Sequence, residues 1–223
     1  MSSRVKRFLD RIPLSQQQSL GEEIANSITH GVGVVLSIAA LVILVIYAAR
    51  ISDTWKIVSF SIYGATMIAL FLSSTLYHAF HQPYVKRFFR ILDHSSIFLL
   101  IAGTYTPVTI GAMRGGWGWT LFGVIWGLTL VGIILKIFAM SKLKWVSTVV
   151  YLLMGWIVII AIKPLLASVP KGFLAWMLAG GAAYSFGVIF YIAKKMPYHH
   201  ALWHLFVLAG SICHFFGMLT LIT

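Results

Sequence analysis

His200 and His204 stand four residues apart in the segment Pro197-Tyr198-His199-His200-Ala201-Leu202-Trp203-His204, just before an apolar run that reaches Thr223. On a helix this spacing places both imidazoles one turn apart on one face, where both rings can reach a single ion. An imidazole among Ile, Leu, Val and Phe has no water to hydrogen-bond and must find a donor, an acceptor or a metal. His214 lies ten residues beyond His204, roughly 15 Å along a helix at about 1.5 Å per residue. A Zn–N bond of about 2.0–2.1 Å cannot bridge that gap, so His214 belongs elsewhere.

These residues sit in a chain of 223 residues that is 60% hydrophobic and only 10% charged, whereas soluble domains carry about a quarter charged residues. Apolar stretches long enough to cross roughly 30 Å of hydrocarbon recur along it, which predicts an all-α integral membrane protein rather than a barrel. No soluble catalytic or nucleic-acid-binding module is expected. The net charge of +12 is scattered over short connections and forms no basic stripe, so nucleic acid is excluded as a partner. Cys213 is the one cysteine and rules out an intramolecular disulfide or a four-cysteine metal site.

Two regions are expected. Residues 1–20 form a basic segment, with Val5, Phe8, Leu9 and Ile12 at helical spacing among Arg4, Lys6, Arg7 and Arg11. They read either as a short helix on an anionic leaflet, ended by Pro13, or as a disordered tail. Residues 21–223 form the transmembrane domain, opened by Ser19 and Glu22 at capping-box spacing. Seven helices are predicted, reaching to Ala49 and then over about 57–80, 93–112, 117–138, 145–167, 173–193 and 199–222, bounded by charge, Gly or Pro. Glycines such as Gly103, Gly132, Gly180 and Gly210 allow close helix contact, and Trp117, Trp119, Trp145 and Trp203 suit interfaces. Pro107 is expected to kink the third helix, with threonine hydroxyls covering freed carbonyls.

Lys and Arg cluster in alternate connections. The N-terminal segment, the second connection (Lys86, Arg87, Arg90), the fourth (Lys136, Lys142, Lys144) and the sixth (Lys194, Lys195) face Arg50, Lys56, Arg114, Lys163 and Lys171 on the other side. The positive-inside rule then places the N-terminus in the cytoplasm and the C-terminus outside, in a multi-pass protein of the inner (plasma) membrane. This topology brings polar residues of four helix ends to one depth: Glu22, Asn26 and His30; Ser74, His78 and His81; Asp93 and His94; His200 and His204. Asp93 is the one acid in the last 170 residues, and a general base would fall to it. Its plainer role is an N-terminal helix cap. Two histidines at one turn, joined by another histidine and a carboxylate from neighbouring helices, suit zinc with one position open. The alternative is buried histidines hydrogen-bonded between helices. His81, His94 and His199 read as interfacial.

Glu22-Glu23-Ile24-Ala25-Asn26-Ser27-Ile28-Thr29-His30, Ser74-Thr75-Leu76-Tyr77-His78, Asp93-His94 and His200-Ala201-Leu202-Trp203-His204 resemble the signature blocks of the progestin and adipoQ receptor superfamily. The likeness is to its bacterial branch, hemolysin III, and covers essentially everything after residue 20. The resemblance implies a zinc held by His78, His200 and His204, with Ser74 and Asp93 close to the metal and its water. It also implies a relation to alkaline ceramidases, hence an expected metal-dependent hydrolase of lipid amide or ester bonds with a membrane lipid as substrate. The long N-terminal domain of the animal receptors is not matched, so hormone recognition is not expected. Two other readings compete: a cytolytic membrane protein, as the branch name suggests, and a non-catalytic, zinc-stabilised regulator of membrane homeostasis.

Overall fold

The computed structural model of the protein describes residues 3–12, 14, 18–139 and 144–222. Pro13 and Lys142 lie outside the described residues, as do the side chains of Lys144 and Trp145. A short helix α1 (Ser3–Asp10) precedes α2 (Leu20–Arg50), α3 (Thr54–Ala79) and α4 (Pro83–Thr106), which continues as a π-helical turn over Pro107–Ala112. Then come α5 (Gly116–Ala139), α6 (Lys144–Trp156), a 3₁₀ segment (Ile157–Ala161) in line with α7 (Ile162–Ser168), α8 (Lys171–Ile192) and α9 (His199–Leu219). Seven of these helical units are long and apolar enough to cross a membrane, the α6–α7 pair counting as one. Helices dominate because a chain in hydrocarbon must satisfy every backbone polar group within its own segment.

Local chemistry sets the boundaries. Ser19 Oγ accepts from Glu22 N at 3.3 Å while Glu22 Oε2 accepts from Ser19 N at 2.8 Å, so the capping box opens α2. Asp53 caps α3 by accepting from Lys56 N at 3.1 Å. Both oxygens of its carboxylate also accept from a single Arg114 nitrogen, Nη2, at 2.8 Å, tying the α2–α3 turn to the end of the π-helical turn. Burial works to raise the Asp53 acid, but the Lys56 amide and Arg114 outweigh it and hold the group below its ordinary value.

The largest departure from the sequence reading is the start of α4. Pro83 occupies its first turn, where the missing N–H costs nothing, and the helix begins ten residues before Asp93. Asp93 is therefore not a helix cap. Lys86, Arg87 and Arg90 lie on the helix itself, and two of them have acid partners: Lys86 Nζ meets Glu23 at 2.8 Å and Arg87 meets Asp10 at 2.6 Å. Helix α1 docks on this extension, with Leu9 and Ile12 buried against Ile91. Further along, Pro107 coincides with the switch to π-helix, and Thr106, Thr104 and Thr109 donate to the carbonyls of Ala102, Leu100 and Tyr105 at 2.7–2.9 Å. That is the expected compensation at a proline in a spanning helix.

Helix α3 packs between α2 and α4, and α9 packs on both α8 and α2. Two glycines make the closest approaches possible. A Cβ at Gly33 would overlap the Phe71 ring, and one at Gly103 would overlap Thr66, so α2 and α4 can lie tight on α3 only without side chains there. The outer faces of the helices remain apolar, as with Val35, Leu130, Phe138 and Ile160, which suits contact with lipid.

Candidate metal site and the cavity beside it

Helix phase decides which polar residues meet. The buried stripe of α2 runs Glu23, Asn26, His30, Gly33 and Ser37. At about 100° per residue, Glu23 lies within roughly 20° of His30 around the axis, whereas Glu22 lies roughly 80° away. Glu22 therefore stays at the helix entrance, bound to Ser19 and accepting from Tyr198 N at 3.0 Å. Glu23 turns inward, and its Oε2 lies 2.7 Å from His78 Nδ1 on α3. Sequence reasoning named Glu22 as lining the site and passed over Glu23. The period of the apolar residues that follow on α2 was the signal that separates them.

His78 on α3 and His200 and His204 on α9 come together: one ligand nitrogen from each lies within 4.8 Å of the others. The ring centres of His78 are 5.2 Å from those of His200 and 5.1 Å from those of His204. His78 and His204 are almost fully buried, at 2% exposure each. Glu23 accepts from His78 Nδ1–H, and the Asn26 carbonyl accepts from His204 Nδ1–H at 3.2 Å. Both bonds fix the tautomer with Nε2 unprotonated. His78 Nε2 is then a buried acceptor without a hydrogen-bond partner among the described residues. An orphaned acceptor of this kind, with the opposite nitrogen anchored to a carboxylate, is the arrangement that metal-binding histidines require. The residues present thus fit a metal ion, with three neutral nitrogen donors.

The remaining candidates surround this triad. His30 stacks flat on His204, with ring centres 3.5 Å apart, and neither of its nitrogens has a partner among the described residues. Asn26 contributes its backbone carbonyl, while its side-chain amide donates to Gln18 at 2.8 Å. Ser74 is fully buried, one turn before His78, and its hydroxyl makes no hydrogen bond of ordinary geometry. Asp93 has Ser74, His78, Arg90 and Lys136 as its polar and charged neighbours, so α4 delivers the carboxylate to the triad from within its length. His94 exposes its backbone carbonyl to Tyr151 OH at 2.9 Å, and His199 Nδ1 lies 3.1 Å from the Phe190 carbonyl. His214 is held apart, with Nε2 3.4 Å from the Met177 carbonyl and its ring against Tyr184.

A cavity of about 320 Å³ opens beside the triad, within the range of small-molecule sites. His30, Asp93, Lys136, His200 and His204 line one end, and the rest is mostly apolar or aromatic, with Thr104, Thr148 and Ser185 among it, reaching Tyr105, Phe173 and His214. One end of this space therefore offers acid–base and ligand groups while the other accepts hydrocarbon.

Residues 18–215 match the family described as Haemolysin-III related. The chain is 52% identical to a protein of Bacillus subtilis called Hemolysin-3 homolog, over 90% of this chain and 94% of that one. It is 50% identical to the Hemolysin-3 of Bacillus cereus, over 91% and 92%. A human protein named Monocyte to macrophage differentiation factor is 28% identical, over 97% and 92%. No solved structure matches. A family model that spans all seven helix starts, together with relatives at half identity over nearly their full length, shows that the chain belongs to the haemolysin-III related family of membrane proteins.

Proposed function

We propose that the protein is an intramembrane zinc hydrolase acting on a lipid amide or ester bond, with His78, His200 and His204 as ligands. The carrying observation is the buried, unpartnered His78 Nε2 set against the Glu23 carboxylate and facing the two histidines of α9. Zinc bound there would supply a Lewis acid and lower the pKa of a water molecule to about 7. The chain's own groups supply the rest. Glu23 and the Asn26 carbonyl orient two of the imidazoles. Asp93 accepts a proton from the attacking water, and the Ser74 hydroxyl, which neighbours Asp93, donates to the carbonyl oxygen of the substrate. The apolar end of the cavity takes the acyl chain, so the substrate enters from the lipid rather than from water. The alternating Lys and Arg residues support an inner-membrane protein with its N-terminus in the cytoplasm. The site would then open toward the cytoplasmic leaflet.

A cytolytic activity is the reading that the names of the Bacillus relatives favour, and a zinc-stabilised regulator without turnover is the third. Asp93→Asn separates them on one preparation. The hydrolase requires near-full zinc with lipid turnover reduced at least tenfold, since a base is lost and no ligand is. Unchanged function with full zinc would refute it. Retention of lysis by His78→Ala would assign cytolysis to something other than this site.

A further inference from the structure

The charges around Asp93 do not balance. All five acids of the chain lie among the described residues, and four of them have their own partners. Asp10 pairs with Arg87, Glu23 with His78 and Lys86, and Asp53 with Arg114. Glu22 holds Ser19 and the Tyr198 amide. Asp93 alone is left for two buried cations, Arg90 at 9% exposure and Lys136 at 5%. Arg90 and Lys136 also lie close enough to feel each other's charge.

Neither cation is positioned as a membrane protein normally positions one. Lys and Arg near helix ends extend their heads to water, yet these two are turned inward from α4 and α5. Arg90 Nε and Nη1 are buried without a hydrogen-bond partner among the described residues. Lys136 Nζ sits 5.8 Å from the centre of the Tyr151 ring and lines the cavity. Tyr191, which feels both Asp93 and Arg90, continues that wall to His200, with ring centres 6.2 Å apart. A buried excess of one positive charge with unused donors is costly unless an anion completes it.

We propose that Arg90 and Lys136, the two buried cations beside Asp93, form a recognition site for the phosphate of an anionic membrane amphiphile whose hydrocarbon chain lies in the cavity that Lys136 lines. An arginine and a lysine together offer donors to several oxygens of one group, which suits phosphate. The net charge excludes a zwitterionic headgroup as an equal ligand. The site rests on this charge count and on the cavity, and holds whether or not the histidines carry zinc or the protein turns over lipid.

The test uses the full-length protein in neutral detergent, as purified and after chelator treatment, so that an ion at the histidines is not the source of positive charge. Dioleoyl phosphatidylglycerol and dioleoyl phosphatidylcholine are titrated separately, and the bound fraction is read by native mass spectrometry. Phosphatidylglycerol is expected to bind the more tightly in both preparations. Arg90→Gln and Lys136→Gln should each weaken it by about tenfold or more, the size of a charged hydrogen bond. Lys194→Gln, an exposed cation of the α8–α9 connection, should not. Asp93→Asn should tighten binding, because it removes the one competing anion; a damaged fold could not produce that sign. Inorganic phosphate should displace the lipid only at far higher concentration, since it has no chain for the cavity. Equal binding of the two lipids, unchanged binding in both cation variants, weaker binding in Asp93→Asn, or displacement by equimolar inorganic phosphate would each overturn the proposal.

Discussion

Glu23→Gln probes the proposed metal site without touching a ligand. The carboxylate lies 2.7 Å from His78 Nδ1 and 2.8 Å from Lys86 Nζ, so it orients the imidazole while its charge is shared with a lysine. Gln keeps the size and one carbonyl oxygen but loses the charge. A charge-assisted hydrogen bond contributes about 1.5–3 kcal/mol, and outer partners of metal ligands are typically worth about 10–100-fold in affinity or activity. Zinc affinity should therefore fall by about one to two orders of magnitude while the site still fills at saturating zinc. His78→Ala, by contrast, should empty it. The assay is competition with a chromophoric chelator on purified protein in detergent, with helical content checked in parallel. Glu22→Gln is the matched control: it disturbs the capping box and the contact to Tyr198 N, at a cost of about 1 kcal/mol in stability, without comparable loss of zinc. Equal affinities for wild type and Glu23→Gln would refute the role of Glu23, and equal losses in the two variants would show a general effect of the helix entrance.

Three further outcomes can be checked directly. His200→Ala and His204→Ala should each remove most of the zinc while His214→Ala keeps it, as metal analysis of the folded variants will show; equal loss in all three would place the ion elsewhere. A C-terminal reporter should be active only outside the cytoplasm, and cytoplasmic activity would contradict the proposed orientation. Asp53→Ala should destabilise the α3 entrance by about 1 kcal/mol from the lost cap. Because the folded Asp53 acid is held below its ordinary value of 3.8, its contribution is fully present above that pH and disappears as pH falls through the lower folded value. A thermal-unfolding difference between wild type and Asp53→Ala that grew on acidification would be the wrong sign.

Apolar length and composition were enough to predict seven crossings, because hydrocarbon imposes the same requirement on every spanning segment whatever its neighbours. The pairing of His200 with His204 was equally legible, since helical spacing alone brings those rings to one face. Pro107 and the Ser19–Glu22 cap were local signals of the same kind. The start of α4 was not: Lys86, Arg87 and Arg90 read as a connection, whereas Pro83 opens a helix there and Glu23 and Asp10 pack against two of those cations. That extension changes Asp93 from a terminal cap into a residue inside a helix, facing the histidines. The choice of Glu23 over Glu22 depended on the rotation of α2 against α3, and the inward turn of Arg90 and Lys136 on how α4 and α5 meet. Helix period and apolar length are properties of one segment and can be read along the chain. Which side chain meets which depends on the relative rotation and depth of several helices, and only their mutual packing sets those.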